Sequence, residues 1–219
     1  MDLDPAQAEA LVGFELLLLD RAVPLGAISR RDGARLRERH ILDSLRATRA
    51  LSERDREAVD LGTGAGLPGV VLAIARPAVR FTLLEPRRRR AAFVELVLER
   101  LGVRNARVLT RRAEEFGALV AEGRERAADV AFARALGPLE RCLSLARQVL
   151  GPGGRLVWFA GGRSATSPPP GAVLIETPAL ESAGPLVIMG RQWRPNAPLP
   201  AQRPPPDRRS DRPRLERPT

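Results

Sequence analysis

Apolar positions recur along this chain with two different periods, and the change from one to the other divides it. The first segment opens Asp4-Pro5-Ala6-Gln7: a helix N-cap, a proline at the first helical position and a glutamine three residues after the cap. It predicts a helix reaching about residue 20, and a second helical stretch is predicted over residues 34–51. Beyond that, short apolar runs alternate with amphipathic ones. Strands are predicted at 58–61, 80–85, 106–109, 129–132 and 155–160, with helices at 69–75, 87–101, 113–121 and 138–150 between them. This α/β alternation predicts a mostly parallel sheet covered by helices on both faces. Two more strand-like runs, 172–176 and 185–189, predict a closing hairpin and bring the sheet to seven strands. The expected organisation is a helical extension over 1–55 packed on an α/β domain at 56–192. A Pro/Arg-rich tail at 193–219, where apolar periodicity stops, is expected to be disordered.

Composition narrows the class. The 219 residues are 44% hydrophobic, enough for one domain with a real core. A single cysteine, Cys142, excludes an intramolecular disulfide. The leucine run at 16–19 is far too short to span a bilayer, and Asp2 and Asp4 stand where a secretory leader would be basic. These features predict a cytoplasmic protein, away from membranes and monomeric. The net charge of +10 points to a polyanionic partner. Its weight is reduced because every basic side chain is arginine, the mark of a GC-rich coding bias, and because the tail carries seven arginines against three acids.

The chemistry concentrates between the first predicted strand and the helix after it, in Asp60-Leu61-Gly62-Thr63-Gly64-Ala65-Gly66-Leu67-Pro68-Gly69. Glycines let a backbone turn sharply and approach a bound nucleotide without a Cβ in the way. Two cofactor readings compete. Gly64-x-Gly66-x-x-Gly69 fits a dinucleotide fingerprint, with Glu85 standing 21 residues on for a ribose hydroxyl. The other is an S-adenosylmethionine site, in which an acid at the strand end precedes the loop. Asp60 supplies that acid, and Gly62-x-Gly64-x-Gly66 the loop. This cofactor has no pyrophosphate to place on helix amides, and its ammonium group needs acceptors. The turn Gly151-Pro152-Gly153-Gly154 also suits a methyltransferase better than a dehydrogenase. Glu85, at the end of the second strand, can accept from both ribose hydroxyls. Arg87-Arg88-Arg89-Arg90 opposes the dipole at a helix start. Contact with RNA phosphate and a solvated, codon-biased face both account for it.

Together these segments resemble one family, the bacterial 16S ribosomal RNA guanine-N7 methyltransferases (RsmG, also called glucose-inhibited division protein B), over roughly residues 11–190. The most specific pieces are Arg39-His40-Ile41-Leu42-Asp43-Ser44 and the 60–69 loop, supported in order and spacing by Arg112-Ala113-Glu114-Glu115-Phe116 and Ala133-Arg134-Ala135. The resemblance implies a Rossmann-like class I S-adenosylmethionine-dependent methyltransferase fold. It implies that Asp60, Gly62, Gly64, Gly66 and Leu67 line the cofactor pocket, that Glu85 binds ribose, and that Ala113 and Glu114 lie on the adenine side. Arg134 would mark the catalytic end of the cleft, touching both cofactor and reaction, with His40 as a second catalytic candidate. The implied substrate is a guanine of 16S ribosomal RNA or the small ribosomal subunit. Two departures stand out. Pro24-Leu25-Gly26-Ala27 replaces the family's Asn-Leu-Thr, and the fifth strand, which the family ends with lysine, ends here in Trp158-Phe159-Ala160-Gly161-Gly162.

Missing motifs narrow the reaction. No amine-clamping Asn-Pro-Pro-Tyr follows the fourth strand, where the chain reads Ala133-Arg134-Ala135-Leu136, and no Pro-Cys nucleophile is present. Cys142 falls mid-helix as a small core residue. Guanine N7 fits the gap because it offers a lone pair and carries no proton to remove. Rate would then come from aligning N7, the methyl carbon and sulfur. His40 lies on one helix with Arg39, Asp43 and Ser44. An inter-element polar contact and a substrate- or cofactor-side role are both open to it, as are a structural salt bridge and a catalytic role to Arg134. No metal-ligand spacing is present. The alternative functions are a diverged methyltransferase with another RNA target, and a non-catalytic rRNA-binding assembly factor.

Overall fold

The computed structural model describes residues 3–29, 35–161, 170–177 and 183–191; the predicted tail at 193–219 lies outside them. Among the described residues, α1 (Pro5–Leu17) starts on the expected capping box. Asp4 Oδ1 accepts from the Gln7 amide at 2.8 Å, and Gln7 Oε1 accepts from the Asp4 amide at 3.0 Å. The helix does not run on unchanged to residue 20 but widens into a π-helical turn at Leu18–Ala22. The second helical segment is irregular throughout: π-helical at Arg37–Leu42, α-helical at Asp43–Leu45 and 3-10 at Arg46–Ala50. Side chains on that segment are therefore offset from the faces an ideal α-helix would give them.

The rest of the chain alternates as the periodicity predicts. The strands are β1 (Glu57–Leu61), β2 (Arg80–Leu84), β3 (Ala106–Leu109), β4 (Ala128–Arg134), β5 (Leu150–Phe159), β6 (Val173–Ile175) and β7 (Leu186–Gly190). The helices between the first five are α2 (Gly69–Ala75), α3 (Arg88–Arg100), α4 (Ala113–Ala121) and α5 (Leu139–Val149). The seven-stranded sheet has the order β3-β2-β1-β4-β5-β7-β6, parallel through β5 and antiparallel at β7 and β6. The direction of winding reverses between β1 and β4, the switch point at which doubly wound sheets open a crevice at their strand ends.

Alternation along the strands sorts side chains onto two cores. Ala58, Phe81, Val130, Phe132, Val157 and Phe159 pack toward α1, α2 and α3. Val59, Leu61, Ala131, Ala133 and Leu156 pack toward α4 and α5. The N-terminal segment shares the first core through Leu11, Phe14, Leu18, Leu36 and Ile41. Polar bonds fasten it as well. Gln7 Nε2 donates to Ile74 O at 3.0 Å, and Arg155 on β5 donates to Ala50 O at 2.5 Å and pairs with Asp55 Oδ2 at 2.5 Å.

The Gly-Pro-Gly-Gly turn differs from expectation. It lies inside β5 as a bulge, because Leu150 pairs with Ala128 while Arg155 already pairs with Val130. Cys142 is fully buried, and burial raises its thiol to about 11, as suits an inert core residue.

Candidate active site

Strand parity decides which side chains meet above the sheet. Asp60 follows Ala58 onto the face covered by α2, Arg134 follows Phe132, and Phe159 follows Val157. Register then aligns their ends, since Asp60 is opposite Phe132 and Arg134 opposite Phe159.

Asp60 is 1% exposed, and its Oδ2 accepts from the Gly69 amide at 2.9 Å, anchoring the start of α2. Burial raises the carboxyl to about 6, opposed by the Thr63 hydroxyl, the Gly69 amide and the charge of Arg134. The loop above it returns to the second strand, the Thr63 amide donating to Leu84 O at 2.8 Å. Gly62, Gly64 and Gly66 all have positive φ, at 76°, 62° and 94°. Their surroundings differ. A Cβ on Gly66 would press on Val70 and on Phe14 of α1, so that glycine serves core packing. A Cβ on Gly64 would meet nothing within 4 Å, so this turn faces open space. Leu67 is buried in the core at 8% exposure.

Glu85, directly after β2, is 4% exposed and binds both sides of its own turn. Oε2 accepts from the Gly64 amide at 3.1 Å and Oε1 from the Arg87 amide at 2.9 Å. Ala113 and Glu114 begin α4 after the neighbouring β3, and the Glu85 amide donates to Leu109 O of that strand at 3.1 Å. The glycine loop, Glu85 and the start of α4 therefore all lie at the C-terminal ends of adjacent strands.

Across the switch point, Arg134 meets the second helical segment. Its Nη2 donates to Arg39 O at 2.5 Å and to His40 Nδ1 at 2.8 Å, and its Nε pairs with Asp43 Oδ2 at 3.1 Å. Desolvation lowers the Arg134 pKa, opposed by Asp43 and Asp60. An arginine can only donate, so His40 Nδ1 is the acceptor and the ring is held as the Nε2–H tautomer. The expected polar cluster on the Arg39-to-Ser44 segment thus closes through Arg134. Ser44 Oγ donates to the backbone oxygen of His40 at 2.6 Å, and Asp43 turns to the arginines. Sequence reasoning put Asp43 in a polar cluster without a role, and it missed Phe159, whose ring lies 5.9 Å from the Arg134 guanidinium carbon. Strand parity could have found Phe159.

Beside Arg134 lies a cavity of about 420 Å³, bounded by Arg39, Asp43, Arg46, Trp158 and Phe159 among others. A larger hollow of about 580 Å³ lies at the opposite ends of the strands, around the starts of β1, β2 and β3 at Glu57, Arg80 and Ala106. It touches none of the candidate residues. Arg87, Arg88 and Arg89, directly after Glu85 in the chain, are exposed, while Arg90 donates to Gly26 O at 3.3 Å.

Sheet order, glycine loop and strand-end acids define a Rossmann-like methyltransferase fold. Solved structures agree. A methyltransferase from Geobacter sulfurreducens aligns with a TM-score of 0.52 at 15% identity, covering 87% of this chain and 92% of that one. Cofactor-bound Rv0187 from MTB aligns with a TM-score of 0.53 at 21% identity, covering 86% and 90%. Residues 7–167 match the GidB family model, rRNA small subunit methyltransferase G, and the chain belongs to that family. A ribosomal RNA small subunit methyltransferase G of Thermobifida fusca is 41% identical over 68% of this chain and 60% of its own length. A protein of the same name from Mycobacterium sp. (strain KMS) is 38% identical over 73% of this chain and 72% of its own. The chain thus spans about 60% to 72% of the length of these relatives. Among the described residues, no helix is long and apolar enough to cross a membrane.

Proposed function

We propose that this chain is an S-adenosylmethionine-dependent methyltransferase acting on N7 of a guanine in 16S ribosomal RNA, as a cytoplasmic monomer. The observation that supports the reading is that the Gly64–Glu85 contact over β1 and β2 and the cavity beside Arg134 over β4 and β5 lie on either side of the switch point. Family membership supplies the RNA.

The first half-site fits the cofactor. A carboxylate has about four acceptor positions, and Glu85 uses two on backbone amides, leaving two for ribose hydroxyls. Gly64 opens toward empty space where a side chain would intrude. Ala113 and Glu114 border the adenine side, and Asp60 contributes negative charge beneath the loop. When bound, S-adenosylmethionine supplies a methyl group carried on positive sulfur.

The second half-site positions the acceptor. Guanine N7 has a lone pair and no proton, so no residue needs to act as a base. His40 matches that requirement, since its Nδ1 is engaged by Arg134. Its role is to hold Arg134 at the β4 end. Arg134 in turn sets the wall against which the base lies, and the exposed Arg87, Arg88 and Arg89 contact RNA phosphates. The test is incubation of the protein with labelled S-adenosylmethionine and small subunits or their RNA, followed by nucleoside mass spectrometry. 7-Methylguanosine is the expected product; a different methylated nucleoside as sole product defeats the N7 assignment.

A further inference from the structure

The cavity beside Arg134 contains a cation that methyl transfer, as derived above, leaves unused. The Arg46 side chain is 4% exposed. Its Nε donates to Asp43 Oδ1 at 2.8 Å and Asp43 O at 3.3 Å, while Nη1 is buried without a hydrogen-bond partner among the described residues. Asp43 is shared, one carboxylate oxygen for Arg46 and the other for Arg134, so two guanidinium groups divide one negative charge. Both lie against the same ring, with Arg46 5.7 Å from the Phe159 centroid. A buried donor left unmet is costly, and this one belongs to a side chain that lines the cavity.

We propose that Arg46 is a specificity-determining residue that donates to O6 of the target guanine. The inference rests on the guanine-N7 reading. Beside N7, guanine presents O6, an acceptor, where adenine presents an amino donor. A guanidinium has donors only, so it holds guanine and repels adenine. The N7 lone pair has to stay free for the methyl group, which leaves O6 as the atom on that edge for a donor to grip. Arg46 suits this task because Nε is tied to Asp43 and the outer part of the fork is left to the ligand. Phe159, whose ring lies against both Arg46 and Arg134, forms an apolar wall for a planar base.

The experiment is a chemical double-mutant cycle. Single-turnover methyl transfer is measured on RNA carrying guanine or 2-aminopurine, which keeps N7 and lacks O6, at the modified position. Wild type should be slower on 2-aminopurine by about 10- to 100-fold. Arg46→Met should lose a similar factor on guanine and little more on 2-aminopurine, and Arg46→Lys should recover part of the discrimination. Melting temperature and S-adenosylhomocysteine affinity confirm folding; if Arg46→Met does not fold, Arg46→Lys beside wild type decides. Equal rates on both RNAs by wild type, or undiminished discrimination in the folded variants, overturns the proposal and would leave Arg46 at most on a phosphate. Absence of 7-methylguanosine from wild type on guanine RNA is a separate result, which fails the N7 reading itself.

Discussion

The Arg134 guanidinium donates to His40 Nδ1 at 2.8 Å, joining residues 94 apart in the chain. With Asp43 Oδ2 and the Arg39 carbonyl on the same guanidinium, the end of β4 is tied to the second helical segment from three sides. Arg134 therefore both lines the cavity proposed for the acceptor base and clasps the segment beside it.

Arg134→Ala should reduce turnover more than RNA binding, because the clasp orients the cavity while the proposed phosphate contacts, Arg87, Arg88 and Arg89, lie after β2. Single-turnover rates alongside filter binding test this. A melting temperature that falls while the per-molecule rate of folded protein stays normal would make Arg134 a structural residue only.

Glu85→Ala should weaken S-adenosylhomocysteine binding by about one to two decades. The variant loses the proposed ribose acceptors and also frees the Gly64 and Arg87 amides. Calorimetry reads the change, and unchanged affinity would remove Glu85 from the site. NAD should not bind wild type.

Asp60 should make stability pH-dependent in a particular direction. Burial raises its carboxyl from 3.8 to about 6, so the folded state holds the proton more tightly than the unfolded chain. Its contribution is then fully present below about pH 4 and lost as pH rises through about 6. The loss is on the order of 3 kcal/mol, at about 1.36 kcal/mol per pH unit. Asp60→Asn keeps an oxygen for the Gly69 amide and removes the buried charge. It should be more stable than wild type near neutral pH, with the gap closing toward about pH 4. Urea denaturation across that range checks it; parallel pH profiles would show that Asp60 is not titrating in the fold.

Two glycines of the loop should respond differently to alanine. At Gly69 a Cβ would overlap Leu83 Cδ2 and stand 2.7 Å from Asp60 Oδ2, so Gly69→Ala should cost roughly 1–3 kcal/mol of stability through overpacking. At Gly64 there is room, and φ of +62° alone sets a cost of roughly 1–2 kcal/mol. The methyl group added at Gly64, however, would enter the space proposed for the cofactor. Gly64→Ala should therefore lose more S-adenosylhomocysteine affinity than Gly69→Ala. Thermal melts with calorimetry on both variants decide it, and the reverse order would move the cofactor off this turn.

Much of this was legible along the chain because it depends on local physics. Period-two and period-3.6 apolar patterns located the strands and helices of the sheet within a few residues, as at β1, α2 and α4. The capping box at Asp4 and Gln7, and the glycine run between a strand and a helix, carry their geometry in backbone preferences that neighbours scarcely alter. Other features were decided only in three dimensions. Gly64 and Gly66 look alike in sequence and both turn left-handed, yet one faces open space and the other faces Phe14, because α1 packs over only one of them. The winding of the segment from Arg37 to Ala50, π-helical, then α-helical, then 3-10 as it packs against α1 and α2, is not recorded in helix propensity. That Asp43 divides its charge between Arg46 and Arg134 required β4 to end beneath that segment, since a salt bridge between distant residues forms only where burial and register bring their ends together.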